Sequence, residues 1–245
     1  MGEQDATFSV GDQPGDPGRQ SVARAIAGDY EFSISATLRE AWEKTSGAKT
    51  AILLSIVLYL VISFIVVLLL TTLLSLLGVP VGDESWGSAA IQMIVNIVLL
   101  PIATGIFLLG VKRSLDLEIS VGEVLDNYDK TLPLVISMLI MYVLVTLGFM
   151  LLILPGIYLA IAYYFAAPLI VGKELGPWQA LEASRKSVTQ KWFDFFGLAI
   201  MLIIINLIAA IPLGIGLIWT IPMSVVAYGI AYRNMFGYEP KDELW

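Results

Sequence analysis

Six apolar runs, at 50–77, 89–111, 132–153, 154–171, 195–211 and 213–232, constrain this chain more than anything else in it. A helix needs about 20 mostly apolar residues to cross a bilayer core, and a helix satisfies its own backbone there. The runs therefore predict an all-α integral membrane protein with six transmembrane helices arranged as three hairpins. The third and fourth meet at Leu154-Pro155-Gly156, and the fifth and sixth at Pro212-Leu213-Gly214, where Pro and Gly interrupt the helical backbone. The first is long enough to tilt or protrude. Composition agrees: 58% of residues are hydrophobic and 14% are charged, whereas soluble domains carry about a quarter charged residues. Mean hydropathy is +0.82.

Outside the runs, residues 1–30 form a polar Gly/Asp/Gln-rich stretch expected to be a disordered acidic tail. The membrane domain is expected over 31–237, with a short second tail at 238–245. The first apolar run starts too far in, and is too long, for a signal-peptide core, so no cleavable leader is expected. Lys241-Asp242-Glu243-Leu244 spells a retention signal but is followed by Trp245, so the match is treated as chance.

The 14 Lys and Arg residues are segregated. They fall on the N-terminal stretch (Arg19, Arg24, Arg39, Lys44, Lys49), between runs two and three (Lys112, Arg113, Lys130), between runs four and five (Lys173, Arg185, Lys186, Lys191), and after run six (Arg233, Lys241). The other three connections have none. The positive-inside rule then places both termini in the cytoplasm and supports an even number of crossings.

Three segments on that side resemble one another. Phe32-Ser33-Ile34-Ser35-Ala36-Thr37-Leu38, Ile119-Ser120-Val121-Gly122-Glu123-Val124-Leu125 and Leu175-Gly176-Pro177-Trp178-Gln179-Ala180-Leu181 each place a Leu six residues after an apolar residue. Ser120 with Glu123 reads as a capping box. Each segment precedes two apolar runs and a basic stop. The pattern predicts a threefold repeat of a cytoplasmic amphipathic interfacial helix followed by a hairpin. In the third, Trp178, Leu181, Val188 and Trp192 form the apolar stripe, opposite Gln179, Glu182, Lys186, Thr189 and Gln190. Arg185 falls inside the apolar stripe. Such a residue snorkels to the headgroups, or holds a lipid or substrate phosphate. With Lys186, Lys112, Arg113 and Arg233 it is a candidate for binding lipid or another anion.

The chain has no Cys and no His, which removes disulfides, Cys/His zinc sites and Ser–His or Cys–His catalysis. No Asp, Glu, Lys, Arg or His lies within a run away from its ends, which argues against proton pumping and voltage sensing. The intramembrane polar candidates are Gln92, Asn96, Asn206 and Tyr142, whose ordinary role would be hydrogen bonding between helices. Pro101, Pro168 and Pro222 either kink their helices or free carbonyls toward a cavity. The carboxylates Glu123, Asp126, Asp129, Glu182 and Asp194 alternate with Lys and Arg, as on a solvated face. No basic patch with interleaved aromatics suggests nucleic acid. No metal site or cofactor is expected.

Ala180, Leu181 and Ser184 in an Ala-Leu-x-x-Ser pattern, Ala231-Tyr232-Arg233 with Phe236 and Gly237, and the opening FSI…LREAW at 32–42 carry a resemblance. The chain resembles bacterial six-span inner-membrane proteins of uncharacterised activity, similar to the YciC family and to the membrane domain beside some glycerophosphodiester phosphodiesterases. The resemblance covers about 32–237. It implies a multi-pass inner-membrane protein and brings no catalytic residues with it. The expected function is non-catalytic: scaffolding partners, or organising or sensing lipid at the cytoplasmic face. Its partners would be membrane lipids, anionic ones included, a protein, or further copies of the chain. The alternative is a transporter or channel for an uncharged or zwitterionic solute or a lipid. An enzyme is not expected.

Overall fold

Helix α2 (Ile34–Leu76) runs unbroken for 43 residues, about 64 Å. It merges the first surface segment with the first apolar run: Thr45, Ser46 and Gly47 are weak helix formers, but no Pro stands between Trp42 and Thr50 to break the helix. The computed structural model describes residues 17–82 and 85–237, whose regular structure is all helical, without strands. Around α2 stand α1 (Pro17–Ala27), α3 (Trp86–Ser114), α4 (Thr131–Leu151), α5 (Ile153–Ala162), α6 (Ala166–Gly172), α7 (Pro177–Gln190), α8 (Trp192–Ala210) and α9 (Leu217–Phe236). Two 3-10 turns, Val121–Leu125 and Tyr128–Lys130, lead into α4. Five stretches are long and apolar enough to cross a membrane: α2, α3, Val121–Leu151, Ile153–Gly172 and α8.

The centre consists of α2, α3 and α9, packed through small residues. The buried face of α2 is Thr37, Ala41, Thr45, Ala48, Ile52 and Ser55. Helices α3 and α9 touch backbone to backbone: a Cβ on Gly229 would lie 2.2 Å from the Gly110 carbonyl carbon. A Cβ on Gly110 would lie 2.3 Å from the Val225 oxygen. Close approach of this kind multiplies van der Waals contact where lipid offers no hydrophobic driving force between helices. Phe165 fills the adjoining space, its ring within 5.7–6.3 Å of Phe107, Phe195, Tyr232 and Phe236. By contrast α4 and α8 turn large side chains outward, among them Leu132, Leu147, Ile203, Leu207 and Ile208. Each would be less stable by about 1.5–3 kcal/mol in water than in an apolar phase.

Three expectations are corrected. Residues 17–30, expected within a disordered tail, are ordered: Val22, Ala25, Ile26 and Tyr30 give α1 and its exit one apolar face. That face docks on the bundle, with Gln190 Nε2 donating to the Ile26 carbonyl (3.1 Å) and Tyr30 Oη to the Ser187 carbonyl (2.8 Å). Burial first, and then Asp194, raise the Tyr30 hydroxyl above its usual range, so it remains a neutral donor. Residues 1–16 and the expected 238–245 tail lie outside the described residues.

Second, the three surface segments adopt three different forms. The first continues into α2, the second is 3-10 turns, and the third alone is a separate α-helix, α7. Gly122 and the Asp126-Asn127 pair favour turns over a helix in the second.

Third, the run at 154–171 is two helices, not one. Pro168 lacks an N–H and its ring clashes with the carbonyl four residues back, and the chain breaks at Tyr163-Tyr164-Phe165. Pro101 and Pro222, in contrast, are accommodated inside continuous helices.

Candidate functional site

The basic stops of α3 and α9 converge on the N-terminal third of α2. Arg233, at the end of α9, grips Glu40 with both arms of its guanidinium, Nη1 to Oε1 at 2.7 Å and Nη2 to Oε2 at 3.0 Å. Nη1 also donates to the Ser114 carbonyl at the end of α3, one of the acceptors that a helix C-terminus leaves without a helical donor. Lys44, one turn beyond Glu40, pairs with Asp116. Asp116 has φ 60°, ending the α3 exit in a left-handed turn. Its bond from Lys44, and then the nearby Arg113 and Arg233, hold its carboxyl below the usual range. Arg113 donates from Nε to the Lys44 carbonyl at 3.0 Å and lies flat over Gly47. A Cβ at Gly47 would fall 2.4 Å from Arg113 Nη2, so the guanidinium reaches the α2 backbone only because residue 47 has no side chain. Three cations thus meet two carboxylates at one end of the bundle. This arrangement fastens three helices and leaves an excess of positive charge. It contains no nucleophile or general base aimed at a cavity.

The other cationic candidates are also engaged. Arg185 holds Glu182 through Nε (3.0 Å) and Nη2 (2.6 Å), and Lys186 lies 3.4 Å from the same carboxylate. The Arg185 bond lowers the Glu182 carboxyl below its ordinary value, and the same bond raises Arg185. Lys112 pairs with Glu123 at 2.8 Å. Glu123 also accepts the Ser120 N–H at 2.9 Å, as its place in the capping pattern suggests. Gln179 does the same for Gly176 at 3.3 Å.

The buried face of α7 keeps Leu181 and Val188 of the expected stripe but is turned toward its small residues. Ala180, Leu181, Ala183, Ser184, Ser187 and Val188 are buried, while Trp178 is 56% exposed. The reason is what α7 packs against: it lies along α5 and α6, and Ser184 fills their break. The Ser184 hydroxyl donates to the Ala162 carbonyl (2.7 Å) and accepts from the Phe165 N–H (3.2 Å). One side chain thus satisfies two backbone groups freed at the interruption. Pro168 announces the break in the sequence, but nothing local says that residue 184 will close it. Ser184 and Glu40 are therefore the structural residues that charge and hydropathy patterns miss.

Of the polar candidates in the apolar runs, Asn206 alone links helices. Its Nδ2 donates to the Leu202 carbonyl and to Ser224 Oγ, both at 2.8 Å. Gln92, Asn96 and Tyr142 lie on exposed faces of α3 and α4. A surface cleft of about 370 Å³ lies where α2 begins and α9 ends, lined by Glu31, Phe32, Ser33, Ala36, Lys191 and Asn234. Among the described residues no three acidic side chains cluster as metal ligands. Compared with protein-family models, curated proteins and solved structures, the chain matches none.

Proposed function

We propose that this chain is a non-catalytic multi-pass protein of a bacterial inner membrane that organises or senses lipid, or scaffolds partners, at the cytoplasmic face. One observation carries the reading: the surface is divided between broad apolar faces on α2, α4 and α8 and an end where Lys44, Arg113 and Arg233 outnumber Glu40 and Asp116. Positive-inside segregation makes that end cytoplasmic, with both termini. Basic residues beside a bilayer attract anionic headgroups, at about 1 kcal/mol each. A chain without His or Cys has no Ser–His or Cys–His pair, and the reading assigns no catalytic residue.

Six crossings with α9 as the sixth, and a threefold repeat, are the fullest form of this reading. The matching caps at Glu123 and Gln179 support kinship between the last two units. The resemblance to the six-span inner-membrane proteins fits the same picture through Glu40 and Arg233, which belong to its opening and closing motifs and meet in space.

Native mass spectrometry in mild detergent tests the function. Anionic lipid should co-purify and fall away in Arg113→Gln. Retention of an uncharged or zwitterionic solute without lipid would instead favour a transporter.

A further inference from the structure

The three cations at the basic end are not used alike. Lys44 is matched by Asp116, and Arg233 by Glu40. Arg113 has no carboxylate partner of its own. Its Nε donates to the Lys44 carbonyl at 3.0 Å, while Nη1 and Nη2 bond no group among the described residues. Neither nitrogen is sealed in the interior. Glu43, one turn from Gly47 on the same side of α2, is turned to Arg39 at 3.7 Å and leaves the fork open. A guanidinium with both outer nitrogens free presents parallel N–H donors to two oxygens of one phosphate.

The fork is held in place before any ligand arrives. Its Nε is tied to the α2 backbone, and its plane rests on the bare Cα of Gly47. A Cβ there would lie 2.4 Å from Nη2, 2.7 Å from Cζ and 3.2 Å from Nη1. Such a group loses little freedom on binding. Its depth is also defined. Arg113 stands two residues after the apolar run 89–111, and Gly47 three residues before the run 50–77. At about 1.5 Å per residue, the fork lies within roughly one helical turn of the level where both apolar runs begin. That level is where headgroups meet hydrocarbon. Above Gly47 on the same face, at one, two and three turns, come Ala51, Leu54 and Leu58. Leu54 is 51% exposed, and Leu58 is only partly buried.

We infer that Arg113, seated on Gly47, is a specific site for the phosphate of a singly charged phosphodiester lipid, of the phosphatidylglycerol class. The inference rests on the proposed reading that this end meets anionic lipid. Charge selects the class. Lys44, Arg113 and Arg233 against Glu40 and Asp116 leave one positive charge uncompensated, and a phosphodiester headgroup with one negative charge balances it. A doubly charged phosphomonoester would bring a second charge with no partner. The apolar track of Ala51, Leu54 and Leu58 selects a lipid over free phosphate, because it continues from the fork in the direction that an acyl chain takes.

The test separates a built site from diffuse charge. Full-length protein in mild detergent is titrated with phosphatidylglycerol, phosphatidylethanolamine and phosphatidate, and bound lipid is counted by native mass spectrometry. Wild type should retain a single phosphatidylglycerol several-fold more strongly than either of the others. Gly47→Ala keeps every charge but removes the seat, and Arg113→Lys keeps the charge but removes the fork. Both should lose phosphatidylglycerol several-fold. Gly47→Ala replaces a weak helix former with the best one, and the group it displaces is the end of a flexible side chain, so the fold should persist. Arg113→Lys carries the test should Gly47→Ala fail to fold. Unchanged retention in these variants, with loss in Arg113→Gln, would overturn the site and leave the lipid reading standing. No anionic lipid on wild type would overturn the reading itself. Preference for phosphatidate would overturn the charge match. Full displacement of the lipid by excess inorganic phosphate would overturn the acyl track.

Discussion

Helices α8 and α9 are neighbours in sequence, of 19 and 20 residues, yet they differ sharply in what they bury. Helix α8 is among the five stretches apolar enough to cross a bilayer, and it buries only Phe195, Leu198 and Leu202. Helix α9 is not among the five; it carries Thr220, Ser224, Tyr228, Tyr232 and Arg233, and buries most of its length. Hydropathy measures what a helix shows to lipid. A helix packed mostly against other helices is free to use small and polar residues for those contacts, which lowers its hydropathy.

The largest test of this contrast is Gly229→Leu. Its side chain would enter the Gly110 backbone, and overpacking costs about 1–3 kcal/mol, occasionally more. We expect loss of folded protein, whereas Ile203→Ala on the exposed face of α8 should stay within about 0.5 kcal/mol of wild type. Similar midpoints for the two in a denaturant titration would break the comparison. Next is Arg233→Ala, which strands Glu40 and the Ser114 carbonyl and should cost about 1–3 kcal/mol. A double-mutant cycle with Glu40→Ala measures how much of that belongs to the pair, and a coupling near zero would refute the clamp. Ser184→Ala comes third, at about 1–2 kcal/mol, through two unsatisfied backbone groups. Hydrogen exchange should rise at Phe165 and not across α8.

Smaller still is Asn206→Leu on α8, at about 0.6 kcal/mol, the average for a side-chain bond between membrane helices. A loss as large as that of Arg233→Ala would mean α8 is held by far more than one bond. The smallest concerns acid. Because Arg185 depresses the folded-state carboxyl of Glu182, its contribution is complete above the unfolded value near 4.5 and is lost as pH falls through the lower folded value. Pairs one turn apart on a helix are worth about 0.2–0.5 kcal/mol. Glu182→Gln should flatten that part of the acid limb in pH-dependent unfolding, and an unchanged limb would exclude the pair as its source.

The positions of the apolar helices were legible because backbone satisfaction in lipid makes length and hydropathy nearly sufficient. The basic stops were legible too, but their destinations were not: Arg233 and Glu40 are 193 residues apart. The buried face of α7 was read only in part: Leu181 and Val188 are buried as the stripe suggests, but Trp178 is exposed, because a helix packed closely on another also turns its Ala and Ser residues inward. The order in residues 17–30 was hidden because averaging over a polar stretch submerges one short amphipathic turn. The contacts of Tyr158 with Thr189 and Trp192 likewise have no local pattern.

The backbone contact between Gly110 and Gly229 also sets an order of events. About 100 residues separate the end of α3 from the start of α9, and at about 5–20 residues per second the ribosome needs several seconds to make them. Until then the small-residue face of α2 and α3 has no α9 against it. Lipid or the insertion machinery must fill that groove and then leave it. The face that α2 and α3 share is therefore completed only when α9 has been made, and a chain truncated before Leu217 would lack the helix that closes it.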